Sequence, residues 1–308
     1  MLPYKVALVG AALTALPSRG FAENVRPGIG DWTWPPFIVI SLLLVGVLYG
    51  LGAARMSRAG SKSALGRRSI WFALGWVSLV IALDSPLHEI GEQLFWVHMT
   101  QHEILMLISA PLLTLGRPLV PFLWALPPRW REPVVAVSQV KLFKTTWKTI
   151  AAPLSAWLLS ACALWIWHVP LLFNQTLRSD WIHAAQHSTF LLSGLLFWWP
   201  LAGRRPTIGY GGALAYVFTT ALHTSVLGAL LTFAPRPWYP PYVATAPAWH
   251  ITALEDQQLG GLIMWVPAGA ILLIIALVLL VKWMSESQNR WQYTRMAELS
   301  RSAGGAIR

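Results

Sequence analysis

A single cysteine, Cys162, in 308 residues excludes an intrachain disulfide and every Cys-x-x-Cys redox or metal motif. Charge is scarce too: 11% of the residues are Asp, Glu, Lys or Arg, where a soluble domain carries about 25%. There is no G-x-S-x-G nucleophile turn and no phosphate-cradling glycine loop. His102-Glu103 lacks the second histidine of H-E-x-x-H, which sets aside an intramembrane zinc protease. No enzymatic turnover is expected.

What the chain does have is apolar surface. Hydrophobic residues make up 56% of it, 19 residues are tryptophan, and the mean hydropathy is +0.53. That composition describes an all-α, polytopic membrane protein in contact with lipid, its tryptophans gathered as interfacial belts. Seven runs approach the ~20 residues that a bilayer requires: 35–54, 69–84, 94–115, 150–168, 181–201, 211–233 and 257–281. Pro111 inside the third and Pro200 near the end of the fifth mark places where a membrane helix kinks or stops. Ahead of these runs, Lys5, the apolar stretch Val6–Leu16 and Gly20-Phe21-Ala22 follow the grammar of a signal peptide. Cleavage is expected near Ala22, with a short uncleaved first helix as the alternative. The expected organisation is a signal at 1–22, a short periplasmic segment at 23–34, a seven-helix domain at 35–281 and a cytoplasmic tail at 282–308.

The net charge of +11 follows topology, not nucleic acid. Arg55, Arg58, Lys62, Arg67 and Arg68 separate runs one and two, and Arg117, Arg129, Arg131, Lys141, Lys144 and Lys148 separate three and four. Arg204 and Arg205 lie between five and six, and Lys282, Arg290, Arg295, Arg301 and Arg308 follow seven. Eighteen of the 23 basic residues thus fall on one side, which the positive-inside rule makes cytoplasmic. The bacterial inner membrane, with the mature N-terminus periplasmic and the C-terminus cytoplasmic, is the location expected. In the long 116–149 connection, Trp130–Thr149 mixes apolar residues with three lysines, as either a helix on the inner surface or a solvated loop.

One pattern occurs twice. Trp96-Val97-His98-Met99-Thr100-Gln101-His102 returns eighty-five residues later as Trp181-Ile182-His183-Ala184-Ala185-Gln186-His187. Histidines at i and i+4 lie about 40° apart around a helix and share one face. Asp84-Ser85-Pro86-Leu87 precedes the first copy and His168-Val169-Pro170-Leu171 the second, while Gly116-Arg117-Pro118 and Gly203-Arg204-Arg205-Pro206 close them. The expectation is a parallel repeat of two helix hairpins with a site at their interface. None of the eight histidines falls on the cytoplasmic side, and His223 alone sits near the middle of a run. Ionisable groups at membrane depth are costly and mark sites.

Imidazole suits copper, zinc and iron, and thioether sulfur favours copper(I). His98, His102, His183 and His187 are therefore the expected metal ligands, with His168 and Asp256 as second choices, the latter as an acceptor orienting an imidazole. Met99 and Met106 lie near the same face, and Gln101 and Gln186 are expected to hydrogen-bond across the repeat. Haem b held by two histidines is the alternative cofactor.

At these motifs the chain resembles the multi-spanning CtaG-like cytochrome c oxidase assembly factors. The carrying residues run from His98-Met99-Thr100-Gln101-His102 to Leu115-Gly116-Arg117-Pro118, through Trp167-His168-Val169-Pro170-Leu171 and the pair His183 and His187. They continue with Leu227-Gly228-Ala229-Leu230-Leu231, Trp238-Tyr239-Pro240-Pro241-Tyr242 and Asp256-Gln257-Gln258-Leu259-Gly260-Gly261. The resemblance covers about residues 80–265 and implies a role in building haem-copper oxidases, with oxidase subunits as partners and copper as the metal handled. Single-span copper chaperones that share the family name rely on a cysteine motif, which this chain lacks. A copper transporter and a purely structural scaffold are the remaining readings.

Overall fold

The computed structural model describes residues 32, 34–60, 62–203 and 205–305, the backbone alone for 62–64 and 297–305. The signal expected at 1–22 and nearly all of the 23–34 segment lie outside the described residues. Every regular element among those residues is helical. Helix α1 (Pro36–Arg58) is followed by α2 (Lys62–Asp84) and a short α3 (Pro86–Gln93). Next come α4 (Phe95–Gly116), α5 (Leu119–Ala125), α6 (Pro128–Gln139) and α7 (Lys141–Ile150). Then α8 (Pro153–Trp167), short α9 (Pro170–Thr176) and α10 (Asp180–Trp198) repeat the long–short–long order of α2, α3 and α4. The chain ends with α11 (Gly209–Thr232), α12 (Pro241–Thr245), a 3₁₀ turn (Ala246–Trp249) and α13 (Ala253–Gly305).

Prolines set many of these boundaries. Helices α1, α3, α8, α9 and α12 each open with proline in the first turn, where its missing N–H has no helical partner to lose. Pro111 acts differently, because it lies inside α4. It cannot donate to the carbonyl four residues back, and the turn ahead of it, Ile104–Ser109, widens into a π-helical turn. Trp198 of α10 donates its indole N–H to Met106 O in that turn at 2.7 Å, and the hydroxyls of Ser78 and Ser109 meet at 2.7 Å. The kink expected at Pro111 is thus a widened turn pinned by two neighbouring helices.

Among the described residues, four helices are long and apolar enough to cross a membrane: Pro36–Arg58, Leu65–Asp84, Gly209–Thr232 and Ala253–Met296. The count rises to six if α4 with α5, bent by 59°, and α7 with α8, bent by 61°, each make one span. This is fewer than the seven runs read from the sequence. The run at 181–201 is present as the 19-residue α10, but Asp180, His183, Gln186 and His187 in its first two turns lower its apolar character. The run at 69–84 begins earlier than expected, since α2 starts at Lys62. Lipid contact is written on the surface: Phe37, Ile40, Leu43, Leu44 and Val47 of α1 and Val266, Leu273, Ile274, Leu277 and Val278 of α13 are all exposed. Apolar stripes of that extent on a water-soluble protein would mark an interface or an aggregation hazard. The 116–149 connection is helical, and no residue of α6 or α7 is buried.

Inside, the helices are locked by close approach and aromatic contact. At the crossing of α11 and α13, a Cβ on Gly261 would stand 2.7 Å from Gly228 O and 2.5 Å from Thr232 Oγ1. Small residues let backbones meet and gain dispersion energy that lipid cannot supply. Around the N-terminal end of α4, Phe95 stacks on Tyr239 at 4.8 Å and Phe173 packs on Tyr239 at 4.3 Å. Such aromatic pairs contribute about 0.5–1.5 kcal/mol each beyond the area they bury. They form the floor on which the histidines sit.

Candidate metal centre

The first turn of α4 is fixed from outside its own sequence. Leu94, extended at the N-cap position, offers no capping side chain. Asp256 of α13 substitutes, accepting from Phe95 N at 2.8 Å and Trp96 N at 3.0 Å. A carboxylate on the free N–H groups of a helix also meets the positive end of its dipole. Gln257, the next residue, accepts from Trp238 N at 2.5 Å and donates to Leu231 O at 3.2 Å. Asp256 is thus engaged by backbone N–H groups and lies in neither of the clusters of ligand atoms described below. The structure gives Asp256 the task of holding the start of α4, with backbone N–H groups as the partners of its oxygens.

From that anchored helix project His98 and His102; from α10 project His183 and His187, and all four are buried. His98 and His102 rings lie 4.5 Å apart, His183 and His187 rings 4.3 Å apart. Between helices, His98 stacks on His183 at 5.0 Å and His102 meets His187 edge-on at 5.3 Å. The interhelical pairing expected of the two motif copies is present. A fifth imidazole joins them: His88 of α3 stacks on His183 at 5.0 Å. Two three-histidine groups result, His88 with His183 and His187, and His98 with His102 and His187, each with its ligand atoms within 4.8 Å of one another. From the sequence His88 had no part in the site; its signal was the position two residues after Pro86, in the turn leading to the first motif copy.

The hydrogen bonding around the cluster leaves several imidazole nitrogens short of partners. A neutral imidazole carries one N–H and one lone pair, and leaving either unmet in a buried place costs about 1–3 kcal/mol. Neither Nδ1 nor Nε2 of His102 has a hydrogen-bond partner among the described residues. His183 Nε2 and His187 Nε2 stand 3.2 Å apart with only each other. His98 is oriented on both sides: Nε2 lies 3.2 Å from Gln186 Oε1 and Nδ1 3.4 Å from the Tyr242 hydroxyl. Gln186 Oε1 can only accept, so Nε2 carries the proton toward it, while Nδ1 faces the Tyr242 hydroxyl, which donates to Gly91 O at 3.0 Å. Burial, with Asp256 and Glu92 nearby, pushes the Tyr242 phenol well above its ordinary range and keeps it a neutral donor. Gln101 does not pair with Gln186; its amide donates to Ala82 O at 2.8 Å and ties α4 to α2.

The remaining histidines differ. His168 donates from Nδ1 to Leu164 O at 2.7 Å, which leaves the lone pair of Nε2 3.3 Å from Met99 Sδ, a nitrogen and a thioether side by side with no proton between them. Its ring is 6.2 Å from that of His102, beside the triads and not within them. His223 packs edge-on against Trp157 at 5.5 Å, and His250 ends the 3₁₀ turn with φ of 62°; neither joins the groups. Three imidazole nitrogens converging this closely can hold one transition-metal ion. A porphyrin fits poorly, because His98 packs on Phe173 at 5.0 Å and His102 on Phe190 at 4.5 Å, leaving no planar slot between the rings.

Residues 47–286 match the family described as cytochrome c oxidase caa3 assembly factor. The chain belongs to that family. All five clustered histidines, Asp256 and Gln186 lie within the matched stretch. Among curated relatives, the chain is 26% identical over 269 residues to uncharacterized proteins of Mycobacterium bovis and Mycobacterium tuberculosis, covering 84% of its own length and 40% of theirs. An uncharacterized protein of Mycobacterium leprae is 26% identical over 266 residues, 82% of this chain and 39% of that one. The chain therefore spans about 40% of the length of the curated relatives it matches. No solved structure matches it.

Proposed function

We propose that this protein assists cytochrome c oxidase assembly by holding copper in the histidine cluster and handing it to an oxidase subunit, without catalytic turnover. The observation that carries the reading is His102: a buried imidazole with both nitrogens unmatched, set among His98 and His187 at metal-ligand spacing. Family membership supplies the assembly role, and the donor set supplies the metal. His183 completes the first set of ligands, with His168 and Met99 beside it as a nitrogen–sulfur pair suited to copper(I). In this reading α10 crosses the membrane as a seventh span, its apolar deficit offset by the contacts its polar residues make inside the bundle. The two long–short–long units form a parallel repeat, and the cluster lies near the periplasmic face of the inner membrane with the C-terminus in the cytoplasm. The distribution of Lys and Arg supports that orientation.

The test is metal content and an absorption spectrum taken from one purified sample. Copper near one equivalent without a Soret band, lost when His98 and His102 become alanine, supports the proposal. Copper retained by a variant lacking His98, His102, His183 and His187 contradicts it, and a Soret band moves the site to haem. A preparation that takes up neither leaves a scaffold role.

A further inference from the structure

The two histidine groups share a member, and that has a chemical consequence. His187 belongs both to the group with His88 and His183 and to the group with His98 and His102. A neutral imidazole has one lone pair, so His187 ligates one ion at a time. The groups also differ in their access to solvent. Glu92, whose side chain is 36% exposed, stands 3.9 Å from His88, whose side chain is 13% exposed. Behind them His183, His187, His98 and His102 are all buried. Exposure therefore falls in one direction, from Glu92 through His88 to His102.

We infer that the two triads are successive stations for a single copper ion, which enters at His88 and moves inward by exchanging ligands about His187. The inference rests on the copper reading of the cluster. At the outer station the ion is held by His88, His183 and His187. It then keeps its bond to His187 while His98 and His102 replace His88 and His183, so it is never without imidazole ligands. His98 stacks on His183 at 5.0 Å, which brings the incoming donor alongside the outgoing one. His102, with neither nitrogen matched in the apo protein, gains most from the arriving cation. Glu92 beside His88 adds a negative charge at the entrance, which draws a cation toward that end. The exchange makes and breaks only coordination bonds, with copper unchanged in oxidation state. No proton is lost, because each ligand nitrogen offers an existing lone pair.

The experiment uses the full chain in detergent micelles, loaded with copper(I) from a coloured copper(I)–chelator complex, with metal analysis for stoichiometry and loss of colour for the rate. The wild type should bind one copper. His88→Ala should load about tenfold more slowly yet reach nearly the same final occupancy and affinity, an end point that also shows the variant is folded. His102→Ala should load at the wild-type rate but release copper to competing chelator at least about tenfold faster. His250→Gly, outside both groups, should behave as wild type. Two coppers bound at once overturn the shared-ligand inference, as does a His88→Ala variant that loads at the wild-type rate. In either of those cases the copper reading itself survives. A wild type that binds no copper overturns both.

Discussion

The imidazoles of His98 and His183 stack across two helices, centroids 5.0 Å apart and planes 17° from parallel. Each opens an i, i+4 pair, so this contact sets the depth of α4 against that of α10 and brings His102 within reach of His187. The side chains around these rings divide into those that hold the helices and those that face ring nitrogens.

Gln186 and Gln101 occupy matching places in the two motif copies and should fail in opposite ways. Gln186 faces His98 Nε2 at 3.2 Å, whereas Gln101 donates to Ala82 O at 2.8 Å. Gln186→Leu should weaken copper binding about ten- to a hundredfold, as loss of a ligand-orienting partner does, with little change in thermal stability. Gln101→Leu should lower stability by about 1 kcal/mol and leave copper affinity near wild type. Chelator competition and thermal unfolding in detergent, measured on both variants, check the pair.

His102 should be a residue whose removal stabilises the apo protein. Leucine is close in size, belongs beside Phe190 and carries no unmatched nitrogen. His102→Leu should therefore raise apo stability by about 1–3 kcal/mol while copper affinity falls. Lower thermal stability in the copper-free variant would show that the ring is there to hold the fold.

Asp256→Ala should cost about 1–2 kcal/mol, the effect of losing an N-cap, because two N–H groups at the start of α4 lose their acceptor. Asp256→Asn, which keeps one acceptor, should cost less. Copper affinity should fall modestly in both, since His98 and His102 ride on that helix. Thermal unfolding of the two variants gives the ranking, and equal stability of wild type and Asp256→Ala would contradict the capping role.

Gly261→Ala should be damaging although alanine is the better helix former. Its Cβ would stand 2.7 Å from Gly228 O on the facing helix, and such overpacking costs about 1–3 kcal/mol. Gly269→Ala on the same α13 has open space around it and should be neutral or stabilising. Folded yield and unfolding temperature of this pair isolate the close approach from helix propensity.

The histidine pairs were legible because i, i+4 spacing is a local property of a helix, and their duplication pointed to a meeting of two helices. His88 was not, since its entry depends on how α3 folds back over α4 and α10, which no periodicity records. Asp256 was legible as an outer-side carboxylate able to orient a neighbouring group, but its bonds to backbone N–H groups some 160 residues earlier have no sequence signature. Most helix positions followed from apolar runs. Seven apolar runs stand against four to six helices long and apolar enough to span among the described residues. The run at α10 falls short because the polar residues that build the site dilute its hydropathy. Proline at 111 signalled a distortion, but the widened turn and the Trp198 bond that holds it are tertiary.

The most direct measurement is X-ray absorption at the copper edge on the loaded protein, compared with His102→Leu. Imidazole nitrogens as the main first-shell scatterers, fewer in the variant, are the result this account predicts. A first shell without imidazole, or one identical in the two proteins, would contradict it.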